Sequence, residues 1–338
     1  MRGQVALGQA PRAACLDLCE GVASSLVTLP SSLGLALASG LPVQYGLYSA
    51  IVGGFVASVA ASKPIQAVPA VALIAVTGRV FTKFGPQGVA AFTAATGLWL
   101  VFLDMANLTS AVTRLPVQVR LGLRAGFILV AAMCLGRACL SDPGGWRVAA
   151  TPLGVTAFLI IVGARTVGRV IATLGAIGFG TVAARILARP LANLASSGGV
   201  LAGLPALDVP ALAWASVLAL TFPALAAAVL CAIESQEREE VPVGTRDAES
   251  CLKPLTVLGL ASVASSLFGG VPAKRGPLPH RWVRERSGLT RPSAGIIHAV
   301  VLAGAPLVLG PTLGLIPVPV LGGVALAHIL TSARWVEV

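Results

Sequence analysis

The chain has 338 residues, 56% hydrophobic and 11% charged, with a mean hydropathy of +0.88. Soluble domains carry about a quarter of their residues as charges, so a water-soluble enzyme or regulator is excluded and a polytopic, all-α membrane protein is expected. A net charge of +11 would suggest nucleic acid in a soluble chain, but Lys and Arg also collect in cytoplasmic loops of membrane proteins, so no nucleic-acid partner is expected.

Met1 to Cys19 is a mixed stretch without a short apolar core and cleavage site, so no removable signal peptide is expected. About twelve apolar segments can be marked along the chain. They run roughly 20–39, 43–60, 68–82, 87–110, 116–136, 149–164, 167–187, 209–236, 252–268, 272–285, 293–310 and 312–333. Several are shorter than the ~20 residues a helical span needs. The third and tenth are the shortest, and each begins beside a proline, Pro69 and Pro272. Short, Gly/Pro-interrupted segments in matching halves mark transporters built from inverted repeats.

A helix that starts inside the membrane points unpaired N–H groups and a partial positive charge into the protein. Two such starts facing each other form an anion site without any basic side chain. The candidates are Q-A-V-P-A-V-A, Gln66 to Ala72, and F-G-G-V-P-A, Phe268 to Ala273. Either break alone reads as an ordinary Pro-Gly interruption of a membrane helix. The pair, in matching halves, points to a site.

Glu234 closes a run of 25 uncharged residues, Val209 to Ile233. At ~1.5 Å per residue that run can cross a bilayer. A carboxylate there reads either as part of an ion or substrate path, or as a helix-end acid reaching water. Glu237, Glu239 and Glu240 fit the second description.

The six cysteines and the histidines His280, His298 and His328 form no metal-ligand spacing. No hydrolase triad or phosphate loop is present, so neither an enzyme nor a metal site is expected. Lys and Arg concentrate in alternate loops, at Lys63, Arg114, Arg165, Arg238, Arg246, Lys253 and Arg281 to Arg291. That bias places the N-terminus in the cytoplasm, against a weaker counter-signal from Arg79, Lys83, Arg137, Arg147, Arg185 and Arg189.

Six stretches then resemble one family in order. Leu29 to Gly54 (L-P-S-S-L-G-L-A-L-A-S-G-L-P-V-Q-Y-G-L-Y-S-A-I-V-G-G) resembles the opening of the SulP anion transporters. A-I-E-S (232–235) with G-L-A-S-V-A-S-S-L-F-G-G-V-P-A (259–273) resembles their middle. A-G-I-I-H-A (294–299) and L-I-P-V-P-V-L-G-G-V (315–324) resemble their later segments, and 116–126 fits their fifth segment loosely. The resemblance covers about residues 16–335 and leans toward the branch that includes bicarbonate transporters.

It implies a seven-plus-seven inverted-repeat fold, incomplete at the C-terminus and without the STAS domain. The single transmembrane domain, 1–338, would divide into a core (16–110 and 209–310) and a gate (111–190 and 311–338). The anion would sit at Leu35, Pro69, Ala70, Val71, Ala273 and Lys274. Glu234 falls where cation-coupled members carry an acid, with Arg238 one helical turn on, so Na+ or H+ is the implied coupling ion. The implied activity is secondary transport of sulfate or bicarbonate by symport. The implied setting is the cell inner membrane, as a homodimer. A nucleobase permease shares the architecture and is one alternative; a non-transporting, truncated remnant is another.

Three departures bear on function. The text ends near segment twelve. After G-G-V-P-A the family continues with small residues and Thr, whereas here K-R-G-P-L-P-H-R-W-V-R-E-R follows, Lys274 to Arg286. Two accounts remain open for that stretch: a shift of reading frame, or a cationic replacement in which Lys274 or Arg275 stands beside Glu234. Third, Arg238 follows Glu234 by four, the favourable spacing for a helical ion pair. It reads either as holding Glu234 ionised or as a solvated loop-end charge. Ala67 and Val68 also replace a Ser-Gly pair of relatives.

Overall fold

The structure is a computed structural model that describes residues 2–61, 67–108, 116–140, 147–164, 168–187, 192–196, 214–236, 252–276 and 293–332. Helix α1 spans Arg2–Ala38. The second segment is α2 (Val43–Tyr48), a π-helical turn (Ser49–Gly53) and α3 (Gly54–Ala60). A short strand β1 (Ala67–Pro69) and a 3₁₀ turn (Val71–Leu73) then lead into α4 (Ile74–Met105).

The expected third and fourth segments are the two arms of α4. Pro86 lacks an N–H and excludes its predecessor from helical geometry. Gly85 accordingly adopts φ 66°, ψ −164°, a region open to glycine, and the helix breaks there.

The remaining helices are α5 (Val117–Leu140), α6 (Arg147–Gly163), α7 (Arg169–Ile186), α8 (Trp214–Gln236) and α9 (Pro254–Ser266). Strand β2 (Ala273–Arg275), α10 (Ser293–Leu313) and α11 (Val318–Ser332) complete the described elements. The last segment, expected from residue 312, starts at Val318. Helix α10 runs on through Pro306 and Pro311 to Leu313. The turn after it pairs with the 192–194 link, where Leu194 N–H donates to Ile316 O (3.0 Å) and Val318 N–H to Ala192 O (2.9 Å).

Among the described residues, six helical stretches are long and apolar enough to cross a bilayer. Their outward faces carry large apolar side chains, with Phe222 80% and Val308 78% exposed. Such exposure is costly in water and natural against lipid, so the chain is a multi-pass membrane protein.

Helix α4 packs against α8 and α9, α1 against α10 and α11, and α11 against α6 and α7. The α4–α9 crossing depends on two glycines. A Cβ on Gly97 would lie 2.6 Å from Gly259 O, and one on Gly259 would lie 2.6 Å from Gly97 O. Small residues bring membrane helices this close because packing, rather than water exclusion, holds them. Asp104 from α4 accepts from Thr256 N–H (2.7 Å) and Thr256 Oγ1–H (2.8 Å), capping the start of α9. His298 is fully buried and shares a hydrogen bond with Ser24 (2.9 Å), joining α10 to α1. His328 lies between Ser31 Oγ (2.6 Å) and Thr173 Oγ1 (2.8 Å), tying α11 to α1 and α7.

Candidate functional site

The two interrupted segments meet. Strands β1 and β2 pair antiparallel, with Ala67 opposite Arg275, Val68 opposite Lys274 and Pro69 opposite Ala273. Extended backbone within a membrane protein must find partners for its polar groups, and each strand supplies the other's. Ala70 N–H also donates to Pro272 O (3.0 Å), and Ala273 N–H to Ser262 Oγ on α9 (3.1 Å). A rigid crossing of the two halves results.

Beside this crossing lies a small cleft. Three of the six residues expected at the anion site line it: Leu35, Pro69 and Ala70. Its remaining walls are Ala36, Ser39, Leu73, Ile74, Thr77, Val271 and Pro272. No charged side chain is among them, so an anion there would depend on backbone dipoles and hydroxyls. Val71, Ala273 and Lys274 stand next to the cleft in sequence but do not line it.

The hydroxyl residues Ser39 and Thr77 were not anticipated, although helical spacing could have found them. Ser39 follows Leu35 by four, and Thr77 follows Leu73 by four, which puts each pair on one helix face. Ser39 Oγ–H donates to Leu35 O (3.0 Å).

Glu234 lies on the last turn of α8 and is not among the residues lining the cleft. Its Oε2 accepts from Ala72 N–H (3.2 Å), one of the donors at the start of the α4 segment. Its Oε1 pairs with the Lys274 ammonium. The next residues repeat the contact, since Arg275 N–H donates to Ser235 Oγ (3.3 Å). Glu234 therefore joins the C-terminal turn of α8 to both interrupted segments. Arg238 and the rest of segment ten (277–285), His280 included, lie outside the described residues.

The sulfate permease family model matches residues 15–136 and 137–333. The chain belongs to the sulfate permease family. Among its relatives is YvdB of Bacillus subtilis, assigned as a sulfate transporter, 25% identical over 94% of this chain and 64% of that protein. The bicarbonate transporter BicA of Picosynechococcus is 26% identical over 91% of this chain and 60% of its own length. The chain thus spans less than two thirds of the length of these relatives.

Solved structures agree in fold. The transmembrane domain of a cyanobacterial BicA superposes with TM-score 0.75 at 24% identity, over 96% of this chain and 89% of that one. Murine Slc26a9 in its inward-facing state gives TM-score 0.76 at 13% identity, over 95% of this chain and 61% of that one. The inverted-repeat transporter fold inferred from the interrupted third and tenth segments is therefore the fold of this chain. Membership of the sulfate permease family sets the nucleobase-permease alternative aside.

Proposed function

We propose that this chain is a secondary transporter of small inorganic anions, sulfate or bicarbonate, working by alternating access. The observation that carries this reading is the crossing of β1 and β2 beside an uncharged cleft at the start of the α4 segment. Such a cleft can hold an anion by dipoles and hydroxyls and still release it, because no fixed cation lines it. The names of the relatives, a sulfate transporter and a bicarbonate transporter, support the substrate class.

In this reading residues 16–110 and 209–310 form the body that carries the anion, and 111–190 with 311–338 form the body it moves against. Leu35, Pro69 and Ala70 would contact the anion, while Val71, Ala273 and Lys274, expected beside it, stand next to the cleft without lining it. The protein acts in the cell inner membrane with a cytoplasmic N-terminus, as a homodimer. A coupling cation, Na+ or H+, would act at Glu234, with Arg238 as its neighbour one turn on.

Uptake of radiolabelled sulfate and bicarbonate into vesicles reconstituted with purified protein tests the proposal. Saturable uptake of at least one anion is expected. Folded protein that shows no concentration-dependent uptake of either would favour a non-transporting remnant.

A further inference from the structure

We infer that Lys274 is a built-in counter-cation for Glu234, and that this transporter therefore neither needs nor binds Na+ at that carboxylate. The inference rests on the transport reading above for its functional meaning, and on the local geometry for its substance.

Glu234 and Lys274 are nearly enclosed, their side chains 12% and 9% exposed. A carboxylate so placed in a membrane protein demands a neutralising partner. Its position sharpens the demand, because the C-terminal end of α8 carries partial negative charge that favours a cation nearby. Lys274 supplies that cation from within the chain. Both carboxylate oxygens are engaged, Oε1 by the Lys274 ammonium and Oε2 by Ala72 N–H. A metal ion would have to displace the ammonium from Oε1 or sit against a like charge.

The lysine is also held in place. Its backbone is paired with Val68 in the β1–β2 ladder, and the residues on either side are anchored by Ala273 N–H to Ser262 and Arg275 N–H to Ser235. The ammonium thus travels with the crossing, and the Glu234–Lys274 pair contributes no net charge. Of the two coupling cations considered above, the geometry disfavours Na+.

The test is thermal unfolding of the purified full chain in NaCl and in choline chloride at equal ionic strength. The wild-type Tm is expected to be the same in both salts. Lys274→Ala is expected to gain a Na+-dependent rise in Tm that grows with the logarithm of Na+ concentration above its Kd. Lys274→Arg should behave like the wild type, and Glu234→Gln/Lys274→Ala should lose the response again. Lys274→Met, which keeps the length of the stem, replaces Lys274→Ala if the latter does not fold. Na+-dependent stabilisation of the wild type overturns the inference. So does a folded Lys274→Ala or Lys274→Met variant that ignores Na+. Because this readout involves no transport, an inactive protein with the expected salt pattern would overturn the transport reading and leave the ion-pair assignment intact.

Discussion

Val68 and Lys274, from opposite halves of the chain, face each other across the antiparallel pair of β1 and β2. That register decides more about the site than any single side chain in it. It sets the cleft beside Pro69 and Ala70, and it delivers the Lys274 ammonium to Glu234. A lysine in a tenth segment would ordinarily suggest a direct ligand for an anion. Here the pairing with Glu234 takes its charge out of the cleft wall.

The hydroxyls of the cleft should then govern affinity unequally. Ser39 already spends its proton on Leu35 O, whereas Thr77 lines the cleft from the first turns of α4. Thr77→Val is expected to raise KM for anion uptake about fivefold, the effect of losing one hydrogen bond of ~1 kcal/mol. Ser39→Ala should change KM by less than that. Equal effects of the two variants, measured in reconstituted vesicles, would remove Thr77 from the anion's contacts.

Breaking the Glu234–Lys274 pair from either side should cost more than removing it whole. A single buried partner left without its counter-ion destabilises by about 3–5 kcal/mol, while replacing both can be neutral. Glu234→Gln and Lys274→Met are each expected to lower Tm, and the double variant to recover much of the loss. Glu234→Gln should still insert into membranes and should lose coupled uptake. Unchanged cation-dependent uptake in that variant would take Glu234 out of the mechanism.

The cap on α9 offers a prediction about stability alone. Asp104 satisfies Thr256 N–H and its hydroxyl from a different helix. Asp104→Ala should cost about 1 kcal/mol, in the usual range for lost N-caps, and Asp104→Asn should cost less. A Tm for Asp104→Ala equal to that of the wild type would show that water replaces the cap.

Gly97 is expected to tolerate nothing larger. Its Cβ would meet Gly259 O at 2.6 Å and Val263 N at 2.9 Å, both backbone atoms that cannot turn aside. Gly97→Ala should destabilise by about 1–3 kcal/mol, the usual range for overpacking. Gly175→Ala in α7 is the control, because a Cβ there meets nothing within 4 Å. It should be neutral or mildly stabilising, since a helical Gly costs roughly 0.5–1 kcal/mol relative to Ala. Similar losses of Tm in the two variants would contradict the close crossing of α4 and α9.

Much of this was legible before any coordinates. The apolar runs located most helices within a few residues, because a membrane span is defined by composition over a length the bilayer imposes. Pro69 and Pro272 marked both interruptions, since proline cannot donate to a ladder or continue a helix. The start of α11 was misjudged by six residues. The boundary expected between 310 and 312 falls at Pro311, but α10 continues through both Pro306 and Pro311. Neighbouring helices can re-satisfy the backbone groups that a proline frees in a membrane helix.

By itself, then, the sequence determined a multi-pass helical protein of inverted-repeat form, with two broken segments and one conspicuous acid. Hydrophobicity and proline chemistry are local properties and survive translation into one dimension. Tertiary structure alone decided that Val68 lies opposite Lys274, and that both oxygens of Glu234 are engaged. It also decided that Ser39 and Thr77 share a cleft wall. Those facts depend on how two distant strands register against each other. A one-residue slip there would turn Lys274 to the opposite face and present Ala273 or Arg275 instead, because side chains alternate along a strand.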